Sequence, residues 1–357
     1  MDRSMNYVSP VPIPPGETLI EALEEKGMTQ SDLAMRMGRP IKTINGIIKG
    51  KVAITADTAM QLEYVLDVPA YFWQNLESAY RTSIVRQREQ ENIAKESDMA
   101  KKFPYTEMAK LGWVSETKDL SERIRALKRF FGVVSLKNVP AREAIAFRRS
   151  GVHENSDYAI AAWLRKGELE AQNIETDNYD EDKFKSALVE IKLLAYEMPS
   201  DFSVILRDMC SECGVTVVYI PHLQKTHVNG ATHWLAPKKA IIQLSNRYPY
   251  EDVFWFSFFH EAGHILLHGK RDVFIEYKNM TGSKKEEEAN RFAANSLIGA
   301  DDYNEILKDA PFSHSKIRLI SKRLSVSPGV LVGRLAHDKH IPYSKYGDLR
   351  RKLIWRQ

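Results

Sequence analysis

Two histidines and a glutamate stand inside one of the most apolar runs of the chain. The run reads Phe259-His260-Glu261-Ala262-Gly263-His264-Ile265-Leu266-Leu267-His268 and follows Val253-Phe254-Trp255-Phe256-Ser257-Phe258 directly. Burying imidazole or carboxylate in such surroundings is costly unless a partner is supplied. A metal ion is the partner that fits. On a helix, residues 260 and 264 share one face and lie about 6 Å apart along the axis, a spacing suited to two ligands of one zinc. Glu261, beside them, is then the general base for a zinc-bound water. The competing reading is two ordinary core histidines with satisfied hydrogen bonds.

A third ligand is required. His268 lies about 12 Å along the axis from His260 on a straight helix, too far to share an ion with it. The metzincin continuation also fails, because it needs Gly at 267 and His at 270, where the chain has Leu267 and Lys270. The better candidate lies in Lys284-Lys285-Glu286-Glu287-Glu288-Ala289-Asn290-Arg291-Phe292-Ala293-Ala294-Asn295-Ser296-Leu297. Ala289, Phe292, Ala293, Ser296 and Leu297 form one stripe at helical spacing. Glu286 falls about 50° from the stripe centre, Glu288 about 110° and Glu287 about 150°. Glu286 is therefore the inward glutamate. Asn290, one turn on, is placed to hydrogen-bond a ligand histidine. A solvated acidic first turn explains Glu287 and Glu288 well and Glu286 poorly. Two histidines, one glutamate and an open fourth position make a hydrolytic arrangement. The stretch Ile241-Ile242-Gln243-Leu244 reads equally as an ordinary sheet strand or as an edge for a peptide substrate to join.

These residues need elements to hold them. The chain has 357 residues, 43% apolar and 27% charged, as expected for a globular protein of two domains or one domain plus an extension. Residues 1–16 read as an extended lead-in. Glu17 to about Tyr80 is a series of short helices, 81–102 a polar helix or linker, and 103–147 helical, with Ile124, Leu127, Phe130 and Phe131 at helical spacing. Helical stretches follow at about 156–172 and 182–197. The period then changes to β-rich runs at Val215–Pro221 and Ala240–Ser245. Long helices return at about 250–268 and 284–298, two shorter ones over 313–338, and 340–357 is basic. The fold class expected is mostly α with a small β-sheet. Its parts are an all-α helix-turn-helix domain (1–80), a helical linker (81–145), an α+β zincin-like metallopeptidase domain (146–345) and a basic tail (346–357). No membrane span and no secretory leader are legible, so a cytoplasmic location is expected. Cys210 and Cys213 are the only cysteines and read as free thiols.

Near the N-terminus, Thr29 suits the N-cap of a helix with Leu33, Ala34 and Met37 inward. Gly38-Arg39-Pro40 breaks it, and a second helix starts near Pro40 with Ile44, Ile47 and Ile48 inward. Two short helices with a tight turn make a helix-turn-helix. Residues 1–80 carry 7 basic and 10 acidic side chains, a net of −3. Between Asp32 and Asp57, however, there is no acid and there are five bases: Arg36, Arg39, Lys42, Lys49 and Lys51. That concentration marks the face expected to meet DNA. A helical protein-binding module is the alternative.

Two resemblances sharpen this reading. GATHWLAPKKAIIQLSNRYPYEDVFWFSFFHEAGHILLH, followed by EEEANRFAANSLI, resembles the ImmA/IrrE family of zinc metallopeptidases over roughly residues 200–345. The resemblance implies Zn2+ held by His260, His264 and Glu286, with Glu261 as catalytic base. The chain departs at Ile298-Gly299-Ala300, where such proteins commonly have proline, a change that leaves the ligands alone. PPGETLIEALEEKGMTQSDLAMRMGRPIKTINGIIKGKVAITADTAMQLEYVLDVPAYFWQNLESAY resembles HigA-type antitoxins, which bind operator DNA and restrain a toxin. That resemblance implies Gln30, Lys42, Thr43 and Asn45 near DNA, with Arg39, Lys49 and Lys51 added from the charge pattern. The combined expectation is a homodimeric regulator whose partners are operator DNA and a cognate toxin or a peptide substrate. The alternatives are a protein that is chiefly a regulatory protease and one whose zinc domain only senses.

Overall fold

The computed structural model describes residues 12–139, 154–224, 226, 228–269, 274–277 and 284–353. The chain divides into two compact units between Lys95 and Glu96.

The first unit contains α1 (Pro15–Glu25), α2 (Gln30–Arg36), α3 (Ile41–Ile48), α4 (Ala56–Leu66) and the start of α5 (Ala70–Ala100), within which the division falls. Leu19, Leu23, Leu33, Ile44, Ile47, Ile54, Leu62, Leu66 and Trp73 form its core. Helix α2 starts where Thr29 directs it. Thr29 Oγ1 accepts from Asp32 N at 3.1 Å, and the Asp32 carboxylate accepts from Thr29 N at 3.0 Å, so two otherwise orphaned donors are satisfied. Gly38, at φ +62°, supplies the left-handed residue that turns the chain into α3. Pro40 is the N-cap of α3, whose first helical residue is Ile41.

In the second unit, α6 (Tyr105–Lys110) and α7 (Leu120–Phe131) precede α8 (Glu154–Gln172), α9 (Glu181–Glu197) and α10 (Phe202–Ser211). The expected helical stretch 103–147 is thus two short helices over its described part, and residues 140–147 lie outside the described residues. Gly132, at φ +66°, ends α7. A four-stranded sheet follows in the order β1-β3-β2-β4, from β1 (Val215–Ile220), β2 (Val228–Ala236), β3 (Lys239–Ser245) and β4 (Phe274–Tyr277). Strand β3 lies between parallel β1 and antiparallel β2, with Val217 opposite Ile242 and Thr232 opposite it on the other side. Both ladders of Ile241–Leu244 are therefore occupied, so of the two readings the ordinary sheet strand stands and the edge for a peptide substrate does not. Strands β2 and β4 escaped the sequence reading. Val228–Ala236 carries an Asn-Gly pair and no run of β-branched residues, so its pairing with β3, not its own propensity, makes it a strand.

Helix α11 (Glu251–Leu267) runs through the core, packed on β2, β3, α12 (Lys284–Leu297) and α15 (Pro328–His337). Phe254, Trp255, Phe258, Phe259, Ala262 and Ile265 are all buried on it. A helix apolar on every side is a core helix, and its polar residues are there for a reason. Helices α13 (Ala300–Lys308) and α14 (His314–Leu324) complete the unit. The basic stretch 346–357 is not free over its described part. Tyr250 and Lys352 form an antiparallel bridge, Glu251 N donates to Arg351 O at 3.0 Å, and Leu353 N donates to Pro249 O at 2.9 Å. Arg351 Nε meets the Glu251 carboxylate at 2.8 Å and Arg350 Nη2 meets that of Asp252 at 2.7 Å. The C-terminal segment thereby fixes the first turn of α11. Cys210 and Cys213 are buried and free. Among the described residues no helix is long and apolar enough to cross a membrane.

Candidate functional site

Four-residue spacing on α11 brings His260 and His264 to one face, their Nε2 atoms 3.0 Å apart. Glu286, in the first turn of α12, closes the group: Oε2 is 3.2 Å from His260 Nε2 and Oε1 3.5 Å from His264 Nε2. The two helices approach closely because Gly263 faces Ala289 and Phe292. A Cβ there would lie 3.3 Å from Ala289 Cα and 3.1 Å from Phe292 Cδ1. His260 and His264 are 1% exposed, Glu286 8% and Glu261 0%. Glu287, the neighbour of Glu286, faces solvent.

The hydrogen bonds settle what these atoms offer. His260 Nδ1 is 2.9 Å from Asn290 Oδ1, which only accepts, so the ring proton sits on Nδ1 and Nε2 carries a lone pair. Burial pushes the His264 pKa down to about 4. Burial would raise the Glu286 pKa, but the close approach of the His260 and His264 rings outweighs it and holds it at about 2. At neutral pH the site thus presents a carboxylate and neutral imidazole in a buried pocket. Tetrahedral zinc at its usual nitrogen and oxygen distances of about 2.1 Å separates ligand atoms by about 3.4 Å. The separations of 3.0, 3.2 and 3.5 Å bracket that value, so the donor set fits such an ion.

Glu261 points from α11 toward β2. Gly230 lies against it, and a Cβ at that position would stand 2.7 Å from Oε1. Thr232 Oγ1 donates to the Glu261 carbonyl at 3.3 Å. Neither β2 residue was singled out in the sequence. Nor was the partnership of His268, whose Nδ1 is 2.9 Å from His264 Nδ1 and whose Nε2 is 3.2 Å from Glu288 Oε2. The signal was available: His268 stands one turn after His264, within side-chain reach.

In the first unit, Lys42 in α3 and Lys49 and Lys51 just beyond it are exposed, while Gln30, Thr43 and Asn45 are half-buried at the same helix pair. Arg39 is engaged elsewhere. Its guanidinium pairs with Asp57 and donates to Gln61 Oε1 at 2.6 Å, which ties the turn to α4.

A helix-turn-helix domain followed by a domain with a buried His-His-Glu centre is the class of protein these features define. Residues 19–73 match the helix-turn-helix family and residues 210–336 match the Peptidase M78 family, described as an IrrE N-terminal-like domain. The chain is 35% identical to an addiction module antidote protein of the HigA family from Coxiella burnetii, covering 24% of this chain and 94% of that one, with a TM-score of 0.22. It is 33% identical to the Pseudomonas aeruginosa antitoxin HigA, solved with the higBA promoter, over 24% of this chain and 95% of that one, with a TM-score of 0.23. No curated protein matches the chain. The chain thus carries a helix-turn-helix domain at residues 19–73 and a Peptidase M78 domain at residues 210–336.

Proposed function

We propose that the chain is a DNA-binding transcriptional regulator of the antitoxin type that carries a zinc-dependent metallo-endopeptidase-like domain. The observation that carries the second half is the buried convergence of His260 Nε2, His264 Nε2 and the Glu286 carboxylate, whose charge and lone pairs call for a cation. Zinc, when bound, supplies a Lewis acid with a coordination position left open. Glu261 holds and moves a proton beside it, steadied by the close approach of β2 at Gly230. Asn290 orients His260 through Nδ1. One specific observation favours a second reading, a zinc sensor without turnover: Glu261 is completely covered. Glu261→Gln separates the two. The variant is expected to keep its metal and its melting temperature while losing cleavage of a physiological target by at least about a hundredfold, the usual size of a general-base contribution. A target cut at the wild-type rate by Glu261→Gln removes the peptidase assignment.

For the first half, the support is the helix pair α2–α3 with Lys42, Lys49 and Lys51 at its surface, and the match of residues 19–73 to the helix-turn-helix family. One recognition helix reads few base pairs, so the regulator acts as a homodimer on an inverted repeat, with half-sites about one turn or a small multiple apart. A toxin encoded nearby is the expected protein partner. In mobility shifts on its own promoter, Lys49→Ala with Lys51→Ala should weaken binding to every sequence and flatten the salt dependence by about 2 in log–log slope. Changes at Thr43 or Asn45 should alter which sequence is preferred, by about 1–3 kcal/mol for each base no longer read. Arg39→Ala should lower the stability of the domain by removing its bonds to Asp57 and Gln61, with little change in salt slope. Equal affinity for promoter and scrambled DNA would turn the module into a protein-binding bundle.

A further inference from the structure

We infer that Glu288 and His268 form a two-step hydrogen-bond relay that sets the tautomer and the ring plane of His264, making His268 a positioning residue and not a ligand. The inference rests on the metal reading given above and specifies how one ligand of that site is held.

The proton count leaves one arrangement for neutral rings. A carboxylate oxygen only accepts, so the Glu288 contact at 3.2 Å places a proton on His268 Nε2. Neutral His268 then has a lone pair on Nδ1. That atom faces His264 Nδ1 at 2.9 Å, so His264 carries its proton there and donates. His264 Nε2 is left as a lone pair, aimed at Glu286 and beside His260 Nε2. His268 thus stands on the side of the His264 ring opposite the metal-binding nitrogen and cannot reach the same ion.

The packing agrees. The His268 side chain is 3% exposed. Phe274 of β4 stacks on the His264 ring with centroids 4.1 Å apart and planes 11° apart, and its centroid lies 5.2 Å from that of His268. Both histidine planes are therefore held by one aromatic ring. Glu288 is the surface end of the relay, and Lys284 stands 3.7 Å from its other oxygen. The two ligand histidines are thus held differently. His260 relies on a neutral amide, whereas His264 is backed by a carboxylate through an intervening imidazole.

The test is zinc affinity, measured by chelator competition on the full chain, for wild type, His268→Leu, His268→Gln, Glu288→Ala and His260→Ala. His268→Leu should still take up one zinc at saturation but bind it about 10–100-fold more weakly, and Glu288→Ala about tenfold more weakly. His268→Gln should recover most of the affinity, because its amide oxygen can accept from His264 Nδ1 while its amide nitrogen donates to Glu288. In zinc-loaded wild type, side-chain nitrogen NMR should show His264 protonated at Nδ1. Unchanged affinity in both His268→Leu and Glu288→Ala overturns the relay. Loss of all zinc at saturation in His268→Leu, as in His260→Ala, overturns it by making His268 a ligand. Should His268→Leu fail to fold, Glu288→Ala decides alone, its position being partly exposed and outside the core. Wild type that binds no zinc, or His260→Ala that binds it normally, defeats the metal reading itself, and that result is distinct from either failure of the relay.

Discussion

Purified protein is expected to hold one zinc per chain and to lose it when His260, His264 or Glu286 is replaced by Ala, while Glu287→Ala keeps it. The contrast between adjacent glutamates is the sharpest part of this expectation. Glu286 is 8% exposed, with its two oxygens 3.2 and 3.5 Å from the paired imidazoles, whereas Glu287 faces solvent on the same turn. Elemental analysis decides it, and loss of metal from Glu287→Ala would make Glu287 the third ligand in place of Glu286. Metal removal should also be visible as stability. An ion present at about a hundred times its dissociation constant stabilises the folded state by about 2.7 kcal/mol, so a chelator should lower the melting temperature of wild type and leave that of His260→Ala unmoved. The effect has a physical source: without a cation, the carboxylate and the imidazole lone pairs converge in a buried space.

Arg351→Ala should destabilise the second unit by about 3 kcal/mol. Glu251 is 0% exposed, and both of its oxygens are met by Arg351, Oε1 by the backbone N–H at 3.0 Å and Oε2 by Nε at 2.8 Å. Arg351 Nη2 also donates to Tyr196 O at 3.0 Å. Removing the guanidinium leaves the buried Glu251 carboxylate with only the backbone N–H on Oε1, and breaking a buried pair in this way costs about 3–5 kcal/mol. The low end applies because Arg351 is itself 40% exposed. There is no room for the carboxylate to escape, since a methyl group at Gly329 would already overlap it. Denaturant unfolding should show a lower midpoint with unchanged slope. As the comparison, Lys185→Ala breaks the ion pair Lys185–Glu181, 54% exposed on both sides, and should cost no more than about 0.5 kcal/mol. Equal effects of the two substitutions would refute the clamp. Because Glu251 and Asp252 open α11, loss of the clamp should also weaken metal binding two to three turns away.

Much of the site was legible in the sequence because a helix has a fixed period. Four-residue spacing puts His260 and His264 on one face without knowledge of any other element, and the Ala289–Leu297 stripe orients Glu286 inward by the same arithmetic. Asn290 follows from Glu286 by one turn, and its bond to His260 is present. The capping residue Thr29 and the inward Leu33, Ile44 and Ile47 are local or periodic features as well, and all of them stand in the structure as their spacing requires. What the sequence could not supply was which elements meet. Strand β2 has no pattern of its own and exists through its pairing with β3, so Gly230 and Thr232 came to Glu261 unannounced. Arg39 belonged to a run of bases and was assigned to DNA, yet Asp57 and Gln61, 18 and 22 residues away, engage it. The basic C-terminal stretch read as a tail because its charge is local, whereas its partners Glu251 and Asp252 lie about a hundred residues earlier. Periodicity fixes the direction of a side chain from its own element. The identity of what it meets depends on chain closure over long separations, which only the packed fold decides.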